Sequence, residues 1–282
     1  MVATRDRRRQ LLSTLHRLRA AAPASPIVVV DNASTDGTAS AVGGAFPEIT
    51  VVAAGRNLGA AGRTLGARHA TTPYVAFSDD DSWWAPGSLE RGVRTLDQCP
   101  TLGLVGARIL VGAEERLDPT SAAMRDSPLP ADASLPGPPV LGFLACAAVV
   151  RRAAFLAVGG FHEAILIAGE EELLAIDLAT AGWRLAYLDD MVAHHHPSEL
   201  RDHGGRRRRQ RGNALVVAWL RRPLHLAAGR TAAGLSARDP ITRAAARDAL
   251  RALPAALAKR RVVDPGLERQ LRLLERVRSE HE

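Results

Sequence analysis

Three features of this 282-residue sequence predict an α/β fold: a mostly parallel sheet flanked by helices, followed by an α-helical C-terminal appendage. Short apolar, β-branched runs alternate with helix-length segments, the order that parallel strands and crossover helices require. Two of those runs stop abruptly at acidic, turn-forming residues, as strands do where they leave a sheet. Beyond residue 200 the strand signals cease and arginine-rich helical segments take over.

Leu11, Leu12, Leu15 and Leu18 recur at helical spacing after Asp6 and predict an amphipathic helix. Ile27 to Val30 is a continuous apolar run, as a strand buried on both faces needs. It ends in DNASTDG, made of turn and capping residues. Thr50 to Ala53 reads as a second strand and Gly59 to Ala70 as a small-residue helix. Tyr74 to Phe77 is a further short strand running into SDDDSWW. Pro86 opens a helix through Leu96, since proline is tolerated in a first turn. Leu104 to Val111 is the next strand. Residues 113–139, rich in proline, serine, aspartate and glycine, form an irregular excursion. Leu141 to Val150 resumes as a strand, Gly159 and Gly160 mark a loop, residues 170–181 a helix, and Arg184 to Leu188 the last strand. Pro223, Pro240, Pro254 and Pro265 break the remainder into helices. Residues 1–200 are therefore expected as the sheet domain and 201–282 as a basic helical region.

Composition narrows the function. The formal net charge is +7, carried almost wholly by arginine. A general compositional bias explains the total, so only local clusters are read as functional. Aromatics make up 4% of residues, and the basic stretches lack interleaved stacking side chains, which argues against nucleic acid as a partner. No apolar run approaches the ~20 residues that cross a bilayer, and MVATRDRRRQ has no apolar stretch after its charges. Cys99 and Cys146 form no metal or redox spacing. A cytoplasmic, reduced protein is expected.

Open parallel sheets bind ligands beyond the carboxyl ends of their strands. Asp31 follows one strand; Asp79, Asp80 and Asp81 follow another. Four carboxylates at one crevice repel one another unless a cation joins them, and magnesium or manganese suits such oxygen donors while leaving room for phosphates. A lone acidic run is equally a solvated turn. The strand before it and the helix start after it favour the site. Asp31 reads either as an acid at a helix N-terminus or as a carboxylate facing a nucleobase or ribose, with Asn32 and Ser34 as secondary candidates. Arg63, in GRNLGAAGRTLGARHA, reads as a phosphate or base contact or as a surface arginine.

Glu170, Glu171 and Glu172 suit the positive end of a helix whatever else they do. Glu171 shares a stripe with Leu174, Leu178 and Ala181, so it is expected to turn toward the sheet, where burial raises a carboxyl's pKa and fits it for general-base work. Of His194, His195 and His196, at most one or two are expected as ligands. Trp83 and Trp84 read as a sugar-stacking platform or as packing. Arg206 to Arg211, followed by Leu215, Val216, Val217 and Trp219, reads either as a helix lying on anionic lipid or as one docked on the sheet domain.

Taken in order, DNASTDGT at 31–38, NLGAAGRTLGARHA at 57–70, FSDDDSWWAPGSLE at 77–90, GGFHE at 159–163, GEEELLAIDLATAGWRLAY at 169–187 and VAHHHPS at 192–198 resemble a family 2 glycosyltransferase with the GT-A, Rossmann-like, nucleotide-binding fold. The resemblance implies inverting transfer from a nucleoside-diphosphate sugar to a glycan, lipid-linked or small-molecule acceptor. It assigns Asp31 to the base, Asp79 and Asp81 to Mg²⁺ or Mn²⁺ with Asp80 alongside, and His194 near the metal and diphosphate. Glu170 and Glu171 become the catalytic pair, with Glu171 the general base. The pattern departs at three places: a first strand of at most Met1 to Ala3, glutamate for the usual aspartate of the pair, and Leu173 for a further acid. These departures keep open a non-catalytic nucleotide-sugar-binding protein of the same fold. Localisation stays cytoplasmic, with peripheral contact at the inner membrane face left to the basic C-terminal helices.

Overall fold

A computed structural model describes residues 1–197 and 203–280. In chain order the elements are β1 (Val2–Thr4), α1 (Arg8–Ala21), β2 (Val28–Asp31), α2 (Thr38–Ala45), β3 (Thr50–Ala53), α3 (Ala61–His69), β4 (Tyr74–Ala76), β5 (Ser82–Trp84), α4 (Ser88–Gln98), β6 (Leu102–Val111), β7 (Arg116–Leu117), α5 (Pro119–Arg125), β8 (Ala148–Arg151), α6 (Arg152–Ala157), α7 (Glu170–Thr180) and β9 (Arg184–His195). The helical region comprises α8 (His203–Arg221), α9 (Leu224–Ser236), α10 (Pro240–Ala258) and α11 (Pro265–Glu280).

β2 stands between β1 and β3, all parallel, and its four residues are buried, as its unbroken apolar run requires. A second sheet runs β4-β8-β6-β9-β5. The two are joined where Val2 bridges Ser78 in parallel and the Met1 carbonyl accepts from the Ser78 amide at 3.0 Å. The chain passes from β1 outward to β2 and β3, then returns to β4 on the other side of β1. Strand order reverses there, and the crevice of a doubly wound sheet opens at that point.

The parallel expectation describes the first half and the β6–β9 pair. β8 is antiparallel to β4 and β6 because the excursion before it brings the chain back in the opposite sense, and β5 is antiparallel to β9 because the chain reverses in the turn between β4 and β5. Leu11, Leu15, Val42 and Leu96 cover one face of the sheet; Ala67, Phe155, Phe161, Leu174 and Leu178 cover the other.

Several elements differ from the sequence reading. α2, TASAVGGA, has Val42 as its one large buried apolar side chain, too little for a periodic signal. The strand expected from Leu141 begins only at Ala148, after a 3₁₀ turn at Ala145–Ala147. β9 runs on to His195, past an irregularity opposite Ala107 and Arg108. Pro254 lies inside α10 rather than ending it. Residues 113–139 contain β7 and α5.

The C-terminal helices dock on the sheet domain. Val216, Val217 and Leu220 of α8 join Leu173 and Ile176 of α7 in one buried cluster with Leu267 and Leu271. Arg206 to Arg209 stay exposed, and Arg208 pairs with Asp248 at 2.7 Å. Of the two readings of this segment, the docked helix is the one the contacts describe. Among the described residues no helix is long and apolar enough to cross a membrane.

Candidate active site

Beyond the ends of β4 and β9 an acidic group is assembled. Asp79, Asp81 and His195 each offer one ligand atom, all within 4.8 Å of one another. Asp81 is buried, and its Oδ1 lies 3.3 Å from His195 Nε2. The Asp79 amide donates to Ser82 Oγ at 2.7 Å, which tightens the turn into β5. Two carboxylates suit hard divalent ions such as Mn²⁺ or Mg²⁺, and the imidazole beside them is a common divalent-metal ligand, so these residues fit a divalent ion. Two arginines share the negative charge: Arg63 hydrogen-bonds Asp79 Oδ1, and Arg7 Nη1 lies 3.8 Å from Asp81 Oδ2.

The histidine brought to this group is His195, where the expectation places His194. Side chains alternate along a strand, and His195 stands opposite Ser82 while His194 stands opposite Trp83. His194 therefore turns to the other face, stacked on Trp83 at 5.5 Å between ring centroids with Nδ1 3.0 Å from Glu115. His196 is also against Trp83, and Arg17 lies 4.0 Å over that indole. Trp83 is thus enclosed by its own neighbours, and Trp84 is buried in the core.

Asp80 points toward β1. Its Oδ2 accepts from the Thr4 hydroxyl at 2.9 Å, and its carbonyl accepts from the Thr14 hydroxyl at 2.8 Å. Burial pushes its carboxyl up to about 7, with Asp79 and Asp81 adding to the rise and Arg7 and Thr4 opposing it.

Across the crevice, buried Asp31 accepts from the Ser34 amide at 2.9 Å, the turn expected after β2. The Ser34 hydroxyl accepts from the Asp6 amide at 3.0 Å, and the Thr35 amide donates to Asp6 at 2.7 Å. Those bonds lace the loops after β1 and β2 together. Asn32 is buried and holds the glycine loop: its Nδ2 donates to the Gly59 carbonyl at 3.1 Å, and its Oδ1 accepts from the Leu58 amide at 3.3 Å. Asn32 and Ser34 are thus engaged in bracing the crevice.

Arg63 stands between the two halves of the site. It pairs with Asp79, and its guanidinium is within electrostatic reach of Glu170 and Glu171. Glu170 is 4% exposed, and its Oε2 has no hydrogen-bond partner. A buried carboxyl oxygen without a protein donor is rare in a protein interior and marks Glu170 as a candidate site residue. Glu171 Oε1 accepts from the Ala145 amide at 3.4 Å. Burial raises its pKa, the Glu170 charge adds to the rise, and Arg63 opposes it.

The profile of glycosyl transferase family 2 matches residues 1–159, more than half of the chain. The chain belongs to glycosyl transferase family 2. Two glycosyltransferases of Mycobacterium tuberculosis are similar to it. An N-acetylglucosaminyl-diphospho-decaprenol L-rhamnosyltransferase is 27% identical over 207 residues, covering 60% of this chain and 66% of that protein. A pre-mycofactocin glycosyltransferase is 33% identical over 226 residues, covering 74% of this chain and 44% of that protein. The family 2 chain thus spans only part of each relative. Among solved structures, a mannosyltransferase from Pyrobaculum calidifontis in complex with GDP-Man and Mn²⁺ superposes with a TM-score of 0.58 at 24% identity, covering 92% of this chain and 72% of that one. GalNAc-T7 with UDP, GalNAc and Mn²⁺ gives a TM-score of 0.64 at 13% identity, covering 91% and 55%. At these identities the likeness is one of fold, and the fold is GT-A.

Sequence reading of this family 2 chain missed Arg7, and of the three candidate histidines it took His194 rather than His195. Arg7 is one of several arginines in RDRRRQ, with nothing to single it out before β1 is known to end at Thr4. His195 differs from its neighbours only by strand register.

Proposed function

We propose that this chain transfers a glycosyl group from a nucleoside-diphosphate sugar to an acceptor hydroxyl, with inversion at the anomeric carbon. One observation carries the reading. Arg63 is bonded to Asp79 of the metal-fitting group and is within reach of Glu170 and Glu171, so cation-binding acids and a raised-pKa carboxylate line the same crevice.

In this reading Glu171 accepts the proton of the acceptor hydroxyl. The oxygen bonds to the anomeric carbon from the face opposite the diphosphate, and the bond from that carbon to the diphosphate oxygen breaks. The nucleoside diphosphate leaves with the bonding electrons. Asp31 receives hydrogen bonds from the base or ribose, while Asn32 and Ser34 hold the loops around it. Glu170, with one oxygen free of donors, accepts from a sugar hydroxyl. Asp79, Asp81 and His195 would hold Mn²⁺ or Mg²⁺, whose charge offsets that gathering on the departing diphosphate. Residues 1–200 form the nucleotide-sugar and catalytic unit. A relative named for a decaprenol-linked substrate makes a lipid-linked acceptor the first to test.

The test is a panel of UDP-, GDP- and dTDP-linked hexoses with Mn²⁺, read as nucleoside diphosphate released with and without a polyprenyl-diphosphate sugar. Acceptor-stimulated release that Glu171→Gln abolishes is the expected result. Tight nucleotide binding with no release from any donor would instead favour the non-catalytic reading.

A further inference from the structure

We propose that Asn213 of α8 is a positioning residue for the Glu170–Glu171 pair, which makes the C-terminal helices part of the active site; the proposal rests on reading Glu171 as the base. The segment that launches α7 is held at three successive carbonyls. The Leu166 carbonyl accepts from the Ala60 amide at 2.8 Å. The next two, Ile167 and Ala168, both accept from Asn213 Nδ2, at 2.8 and 2.7 Å. Two acceptors fix which end of the amide faces the loop, since only its nitrogen can donate.

The backbone explains why such a clamp is needed. Ala168 has φ of 69° and Gly169 φ of 105°, immediately before Glu170 begins the helix. Left-handed geometry at an alanine is unfavourable and persists only where surroundings over-determine it. The loop offers little hold of its own beyond buried Ile165, for Leu166 and Ile167 are 47% and 53% exposed. α8 in turn is fixed from behind, where a Cβ on Gly212 would lie 3.3 Å from the Ala245 carbonyl of α10. Support therefore passes from α10 through α8 and Asn213 to the turn that sets where Glu170 and Glu171 point. This is a contact between residues 45 and 46 positions apart in sequence.

The discriminating variant is Asn213→Asp, which keeps size and shape but replaces the donor with an acceptor facing two carbonyls. Hydrogen exchange followed by mass spectrometry on the intact chain should show faster exchange across residues 165–173, with peptides from β6 unchanged. Turnover of the best donor from the panel should fall by roughly tenfold to a hundredfold, the usual effect of a small misplacement of a catalytic group. Donor KM and Mn²⁺-dependent binding of the nucleoside diphosphate should stay within about twofold. Ala168→Gly, which accepts the left-handed turn unaided, should recover part of the loss when added to Asn213→Asp. Unchanged exchange over 165–173, or a turnover loss that Ala168→Gly leaves untouched, would overturn the proposal. The base reading fails separately: Glu171→Gln with full turnover sinks it while leaving the exchange result standing.

Discussion

Asp81 Oδ1 and His195 Nε2 lie 3.3 Å apart because Ser82 and His195 face each other across the β5–β9 pairing. A one-residue slip of that register would exchange His195 for a neighbour, since successive side chains point to opposite faces. Two elements far apart in sequence, the turn after β4 and the end of β9, thus complete one acidic group only through strand pairing.

This geometry separates two adjacent histidines by experiment. His195→Ala should weaken Mn²⁺-dependent binding of a nucleoside diphosphate by tenfold or more, or about 1.4 kcal/mol. His194→Ala should change it by less than about twofold, a few tenths of a kcal/mol, because that ring turns to Trp83 and Glu115. Isothermal titration with and without Mn²⁺ checks both. Equal losses, or the larger loss at His194, would refute the assignment.

Metal dependence should also register as stability. A ligand that binds only the folded state stabilises it by mass action, by about 2.7 kcal/mol at a hundredfold excess over Kd. Mn²⁺ with a nucleoside diphosphate is therefore expected to raise the Tm of the wild-type chain, and a chelator to reverse the rise. Asp81→Asn should remove most of it, since buried Asp81 offers one of the three ligand atoms. A full Mn²⁺-dependent rise in Asp81→Asn would show that the ion binds elsewhere.

Much of this site was readable because acids directly after buried strands have few structural reasons to be there. Asp31 and Asp79 to Asp81 lie around the crevice that strand order creates, whereas the more deeply buried acid of the helix start is Glu170, not the Glu171 that the stripe with Leu174 and Leu178 singles out. What stayed hidden depends on pairing and tertiary contact. His195 against His194 is a question of register. Arg7 becomes distinctive only once β1 ends at Thr4. α2 lacks the apolar stripe by which helices are found, and β8 is shorter than its apolar run because the chain turns through a 3₁₀ segment first. Asn213 reads as an ordinary polar helix residue until the loop it holds is seen.

The helical region depends on a buried charge. Arg222 is 1% exposed and makes a two-pronged contact with Glu268, Nε to Oε2 at 2.6 Å and Nη2 to Oε1 at 3.1 Å, and a further contact to Glu275 at 2.5 Å. Stranding a buried charge typically costs about 3–5 kcal/mol. Without Arg222, however, Glu268 keeps Arg272 at 2.7 Å and Glu275 keeps Arg230, so the cost here should fall below that range. Arg222→Leu should therefore lower the urea midpoint, and Glu268→Leu added to it should restore part of the loss. Loss on the same scale in the double variant would mean that packing, rather than the lost Arg222 pairing of Glu268, sets the cost.

Glu171 gives opposite signs for rate and stability as pH changes. Burial and the neighbouring Glu170 raise its pKa above that of a free glutamate, ~4.3. The ionised form is the base, so kcat/KM should climb with pH along a limb lying well above that value and level off once Glu171 is charged. Folding responds the other way. Between the unfolded and folded pKa the native chain binds the extra proton, so this group's contribution to stability falls as pH rises through that window. Glu171→Gln removes the charge: turnover should drop by about 10²–10⁴-fold, the usual contribution of a positioned base. Its Tm relative to wild type should rise as the buffer is taken from mildly acidic to mildly alkaline. A variant with near wild-type turnover sinks the catalytic role. A Tm difference that stays flat across that range sinks the raised pKa, whatever the turnover shows.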